Sequence, residues 1–170
     1  MKFERVIIIR DKTRLEQLIE RFNSKAQAQF YIERSGGDFN AFELEHNTFY
    51  HSLSKIKQTI TGHHKYKVID RSFLPTYIFT ENDLILVIGQ DGLVANTAKY
   101  VKGLPIIGIN PDIERYDGIL LKHSPNDLSS ILKKVIKGNY ITKAVTMAKA
   151  TLSDCQILLA FNDFYIGANS

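Results

Sequence analysis

Short β-branched runs alternate along the chain with stretches whose apolar residues recur at helical spacing, and this alternation predicts an open α/β fold. Val6 to Ile9 is the first run, fit for a strand buried on both faces. Lys12 to Asn23 follows with Leu15, Leu18, Ile19 and Phe22 on one helical face. Ala26 to Arg34 carries two patterns at once, alternation and helix-forming alanines and glutamines, and is assigned to helix. Gly36-Gly37 breaks it, Asp38 stands at an N-cap, and Phe39 to about Ile60 reads as a long helix through Phe42, Phe49, Leu53, Ile56 and Ile60. Tyr66 to Asp70 is a second strand, followed by a turn around Pro75 and the short apolar segment Tyr77-Ile78-Phe79. Leu84 to Ile88 is the strongest strand of the chain; a helix from Leu93 to Val101 and a strand from Ile106 to Ile109 complete a parallel crossover. Gly118 to Leu121 is a further strand candidate, and Pro125 to Lys137 a helix whose Asp127 and terminal lysines complement its dipole.

The expected class is therefore α/β: a Rossmann-like, open, mostly parallel sheet with helices on both faces, over residues 1–140. Beyond Gly138-Asn139 the pattern changes. Lys143 to Leu152 and Gln156 to Ile166 read as strands joined by a turn at Ser153-Asp154-Cys155, so residues 141–170 are expected to open an antiparallel β domain.

Composition narrows the classes. A chain of 170 residues with 44% hydrophobic content can bury one substantial core. No apolar tract approaches the roughly 20 residues of a membrane span, and Met1 runs into the first strand with no h-region, so no membrane association and a cytoplasmic location are expected. The single cysteine, Cys155, leaves no partner for an intrachain disulfide and is read as structural. The net charge of +4 is spread among acids rather than gathered into a stripe, so no nucleic-acid partner is expected. His63-His64 stand side by side without a third ligand at metal spacing, and no protein-built metal site is predicted.

The chemistry concentrates at Gly89-Gln90-Asp91-Gly92, between the Leu84–Ile88 strand and the helix after it. Glycines let a backbone turn sharply and approach a ligand, and the unpaired amides of a helix start favour an anion. A carboxylate beside a phosphate needs a metal ion, a proton or a hydroxyl between them. The combination, with the Asp91 carboxylate aimed into the corner, suggests phosphoryl transfer to a hydroxyl. Asn110, before Pro111, opens a second loop on the same sheet edge. Gly36-Gly37-Asp38 also has the look of a phosphate loop, but no apolar strand leads into it, and it is read as a turn with a helix cap.

Taken together, the Gly-Gln-Asp-Gly corner, Asn96 and Thr97 on the next helix, Pro105-Ile106-Ile107-Gly108-Ile109-Asn110, and Asn162-Asp163 ahead of Tyr165-Ile166-Gly167 resemble the NAD kinase family, in its divergent bacterial branch of NAD kinase-like or predicted sugar kinases. The resemblance implies transfer of the ATP γ-phosphoryl group, with Mg²⁺, to the 2′-hydroxyl of the adenosine ribose of NAD. It makes Asp91 the catalytic residue and places Gly89, Gln90, Gly92, Asn96, Asn110, Asn162 and Asp163 around the nucleotides. Gln90 stands where the family has a second glycine, and Asp163 where it has the longer Glu.

In this resemblance the β region is the truncated start of a longer domain, and its unpaired edges imply a homo-oligomer, most simply a dimer. Two alternatives keep the same corner: a kinase acting on a sugar or lipid hydroxyl, and a nucleotide-binding fragment without catalysis.

Overall fold

The computed structural model describes residues 3–164 and Gly167. Four parallel strands form its sheet in the order β2-β1-β3-β4: β1 (Arg5–Arg10), β2 (Lys65–Asp70), β3 (Asp83–Ile88) and β4 (Ile106–Ile109). Between them run α1 (Arg14–Phe22), α2 (Lys25–Arg34), α3 (Phe39–Ile60) and α4 (Asp91–Ala98); α5 (Leu128–Ile136) follows β4 after a 3-10 turn at Pro125–Asp127. The Rossmann-like class expected from the alternation is the one observed.

The near-continuous apolar runs explain why β1 and β3 lie in the middle. Val6 and Ile8 of β1 pack with Leu84, Leu86 and Ile88 of β3 against α3 and α5. Ile7 and Ile9 pack with Ile85 and Val87 against α4 and the segments around Leu74, Phe79 and Leu121. Each such side chain contributes about 1.5–3 kcal/mol on full burial, so a strand apolar on both faces belongs where both faces are covered. A smaller core of Leu15, Ala28 and Phe39 joins α1, α2 and α3.

Ion pairs mark both ends of β1. Arg5 is register partner to Asp83, and its Nε donates to Oδ1 at 2.5 Å; Arg10 is partner to Asp70, with Nε to Oδ1 also at 2.5 Å. Asp83 is fully buried and accepts from the Thr80 amide at 2.8 Å as well. Burial pushes its carboxyl up, but the hydrogen bonds from Arg5 and Thr80 outweigh this and hold it below the usual carboxylate range.

The long helix over Phe39–Ile60 and its Asp38 cap occur as expected, with the Asp38 carboxylate accepting from the Asn40 amide at 2.9 Å. The segment Lys25–Arg34 is helical, capped by Ser24. Two expectations for this part of the chain need correction. The helix after β3 begins at Asp91 and ends at Ala98, not Val101. Gly118 to Leu121 forms no strand: the amides of Ile119 and Leu120 donate to the Asp91 carboxylate and are thereby lost to a ladder. Among the described residues, only the bridge between Ile109 and His123 extends pairing beyond β4.

The late hairpin is shorter than its sequence runs, with β5 (Ala148–Thr151) antiparallel to β6 (Ile157–Ala160). Its turn falls at Ser153-Asp154-Cys155 as expected. Cys155, however, is exposed at φ 66°, where it packs into no core. Tyr165 and Ile166, expected in the second strand, lie outside the described residues. Among the described residues no helix is long and apolar enough to cross a membrane.

Asp83 yields a pH prediction. Its depressed folded value means that its contribution to stability is present above the ordinary value near 3.9 and is lost as pH falls through the folded one. Asp83→Asn should lower unfolding free energy at pH 7 by about 1–3 kcal/mol, with the gap to wild type closing below about pH 4. Urea titrations at both pH values measure this, and a gap that stays constant contradicts it.

Candidate functional site

The carboxyl ends of β1, β2 and β3 converge on a cleft of about 370 Å³. One wall is the β3–α4 corner, with Gly89, Gln90, Gly92 and Leu93; the other is the β1–α1 connection, from Asp11 to Arg14, with Arg71 beside it. Phe49 and Glu45 of α3 form part of the lining, and Pro111, Asp112 and Tyr116 come from the loop after β4.

The corner takes its shape from Gly89, whose φ of 154° is open to glycine and strained for other residues; an added Cβ would also lie 3.2 Å from Leu93. Gln90 has φ −113° and ψ 163°, an ordinary extended conformation. The side chain at this position therefore costs the backbone nothing. Gln90 holds the N-cap of α4 without a side-chain hydrogen bond to the helix, which leaves first-turn amides at the cleft wall.

Asp91 does not line the cleft. Its Oδ2 accepts from the Ile119 amide at 2.9 Å and its Oδ1 from the Leu120 amide at 2.8 Å, so both oxygens hold the segment that drapes over β4. Asn110 is likewise spent on loop architecture: fully buried, it donates from Nδ2 to the Tyr116 carbonyl at 2.7 Å and accepts at Oδ1 from the Asp112 amide at 3.0 Å. Asn96 lies half-buried on α4, away from the lining. Asn162 and Asp163 are exposed in the bend after β6 and do not line the cleft either. Of the residues singled out from sequence, the structure brings Gly89, Gln90 and Gly92 together at the cleft, with Asp91 and Asn110 behind its walls.

The β1–α1 connection is the part that sequence reading missed. A signal was present: in a parallel sheet the loop after β1 shares an edge with the loop after β3, and Asp11-Lys12-Thr13-Arg14 is the polar break after the first apolar run. Thr13 and Glu16 form a capping box, with the Glu16 carboxylate accepting from the Thr13 amide at 2.8 Å. Glu16 also receives Arg10 at 3.0 Å and the Tyr50 hydroxyl at 2.7 Å. Burial pushes the Glu16 carboxyl up, yet the Tyr50, Thr13 and Arg10 hydrogen bonds prevail and hold it low. For Arg10, burial opposes the charge, while Glu16 and Asp70 raise the guanidinium further above its ordinary value. The start of α1 is thus fixed to the end of β1 by groups that stay ionised.

Every cation at the cleft has an acidic partner. Arg71 meets Asp11 at 3.0 Å, Lys12 meets Glu20, and Arg14 meets the buried Glu45, which Arg115 also approaches at 3.3 Å. Among the described residues no group of three or more His, Cys, Asp or Glu could hold a metal ion. The cleft is suited to an anion that competes for cations already in place, beside backbone amides at a glycine corner.

No family model matches the chain. The chain is similar to an NAD kinase of Chlorobium phaeobacteroides, at 34% identity over 87 residues, which is 49% of this chain and 30% of that protein. It thus spans well under two thirds of the relative's length.

Gly108 tests how the cleft is closed from behind. A Cβ there would lie 2.5 Å from the Leu120 carbonyl oxygen and 3.1 Å from the Leu121 Cα, both backbone. Gly108→Ala should destabilise the protein by about 1–3 kcal/mol, the usual cost of overpacking. Chemical denaturation reads this directly, and an unchanged midpoint would refute the seating of the 118–121 segment.

Proposed function

We propose that the chain is an NAD kinase-like phosphotransferase, moving the ATP γ-phosphoryl group to the 2′-hydroxyl of the adenosine ribose of NAD. The observation that carries the reading is the glycine corner, with Gly89, Gln90 and Gly92 at the wall of a carboxyl-edge cleft and Asp91 behind it, in a chain similar to an NAD kinase. That similarity supports a kinase-type activity; the corner supports the site.

In this reading the amides after Gly89 hold phosphate oxygens, and the cations of the opposite wall balance their charge. Asp91 accepts a hydrogen bond, then the proton, from the acceptor hydroxyl. To reach a ligand in the cleft its carboxylate must exchange the Ile119 and Leu120 amides for that hydroxyl. Mg²⁺, when bound, would supply positive charge to neutralise the phosphates; among the described residues no carboxylate cage would hold it, so its ligands would come from substrate and water. Asn162 and Asp163, and Asn96 on α4, belong to the proposed NAD contacts through the resemblance alone. A homodimer through the edges of the β5–β6 hairpin completes the reading.

A second reading, nucleotide binding without catalysis, draws on the same Asp91 contacts: a carboxylate that keeps both amides cannot take a proton in the cleft. The two readings separate in one assay. With ATP, Mg²⁺ and NAD, the wild-type chain should form NADP, and Asp91→Asn should lower turnover by about 100-fold or more. Undiminished turnover in the variant removes Asp91 from the mechanism. NAD binding by the wild type without product favours the non-catalytic reading, and product with a sugar or lipid acceptor instead would reassign the hydroxyl.

A further inference from the structure

We propose that Lys12 and Arg71 form a polyphosphate-binding wall of the cleft, engaged by exchange of ion pairs. The inference deepens the phosphotransferase reading and rests on it for the identity of the natural ligand, a nucleoside triphosphate.

The three cations facing the glycine corner are not equivalent. Arg14 is committed: its partner Glu45 has a side chain only 9% exposed, and its guanidinium lies 4.7 Å from the centre of the Phe42 ring. Drawing it away would strip a cation from a buried carboxylate. Lys12 and Arg71 are held more loosely. Among the described residues, Lys12 pairs with Glu20 alone and Arg71 with Asp11 alone, and the four side chains are 37–58% exposed. Exposed pairs of this kind are weak. A phosphate chain brings more negative charge and more acceptor oxygens than either carboxylate, and its charge-assisted hydrogen bonds are stronger.

Topology brings the two cations together. β1 and β2 are neighbours, and Arg10 and Asp70 are register partners at their ends. Arg71 follows its strand by one residue and Lys12 by two, so both stand just past the same sheet edge. Arginine supplies a planar fork and lysine a movable point charge, a pairing suited to successive phosphates rather than to one. Across the cleft lies the uncapped start of α4. A polyphosphate seated there would pair with Lys12 and Arg71, releasing Glu20 to solvent and leaving Asp11 on the wall without its cation, with no covalent change.

Calorimetric titration of the full chain with inorganic tripolyphosphate, in magnesium-free buffer, tests the wall without any catalytic step. Wild type should bind, with an affinity that falls as salt is raised. Lys12→Gln and Arg71→Gln should each weaken binding by about 10-fold or more, and Lys12→Arg should restore it to within about 3-fold of wild type. Arg34→Gln, on α2, should leave it unchanged. Absence of wild-type binding, or Gln variants that bind as well as wild type while circular dichroism shows them folded, overturns the proposal. Tripolyphosphate binding through Lys12 and Arg71 with no NADP formed from ATP and NAD would uphold the wall and dismiss the kinase reading. NADP formation with both Gln variants unimpaired in tripolyphosphate binding would do the reverse.

Discussion

The register of β1 is the constraint on which the molecule depends. The strand is paired on both edges, covered on both faces, and tied at each end to the neighbour that its register specifies, Arg5 to Asp83 and Arg10 to Asp70. A slip of one residue would exchange the two apolar faces and separate both ion pairs. Arg10 carries the constraint outward: through Glu16 it fixes the capping box of α1, and so decides where Lys12 and Arg14 stand relative to the glycine corner of β3. The cleft is a consequence of strand register before it is a set of side chains.

A second constraint works from behind the sheet. The segment from Asn110 to Leu121 lies across β4 because Asn110 closes its loop, Gly108 leaves room for the Leu120 carbonyl, and Asp91 holds two of its amides. Asp91 therefore stands between two uses, as anchor of this segment and as proton acceptor in the proposed reaction. An ionised carboxylate has acceptor capacity beyond two amides, but here its orientation takes it away from the cleft. Any chemistry at Asp91 couples to movement of residues 118–121.

Much of the fold could be read from residue pattern. Doubly buried strands announce themselves as Ile-Ile-Ile and Leu-Ile-Leu-Val-Ile runs, and α3 by its spacing and its Asp38 cap. Gly118 to Leu121 misled because a short apolar run does not reveal where its amides go, and a distant carboxylate had claimed them. The glycine corner was legible because Gly89 needs a backbone that other residues resist. The cations were not, since Lys12 and Arg71 lie far apart in the chain and meet only through strand pairing. Asn110, read from sequence as a ligand contact, is held in the structure as a buried loop anchor by hydrogen bonds that no pattern records.

The proposed ligand site lies at the carboxyl edge of the sheet. Its most direct test is a nuclear magnetic resonance titration of the isotope-labelled chain with NAD and ATP, following backbone amides. Shifts concentrated at Gly89 to Leu93 and Asp11 to Arg14, with Ile119 and Leu120 responding as Asp91 lets them go, are the expected result. Shifts confined to the opposite edge, around Tyr77 and Tyr100, with the glycine corner unmoved, would contradict it.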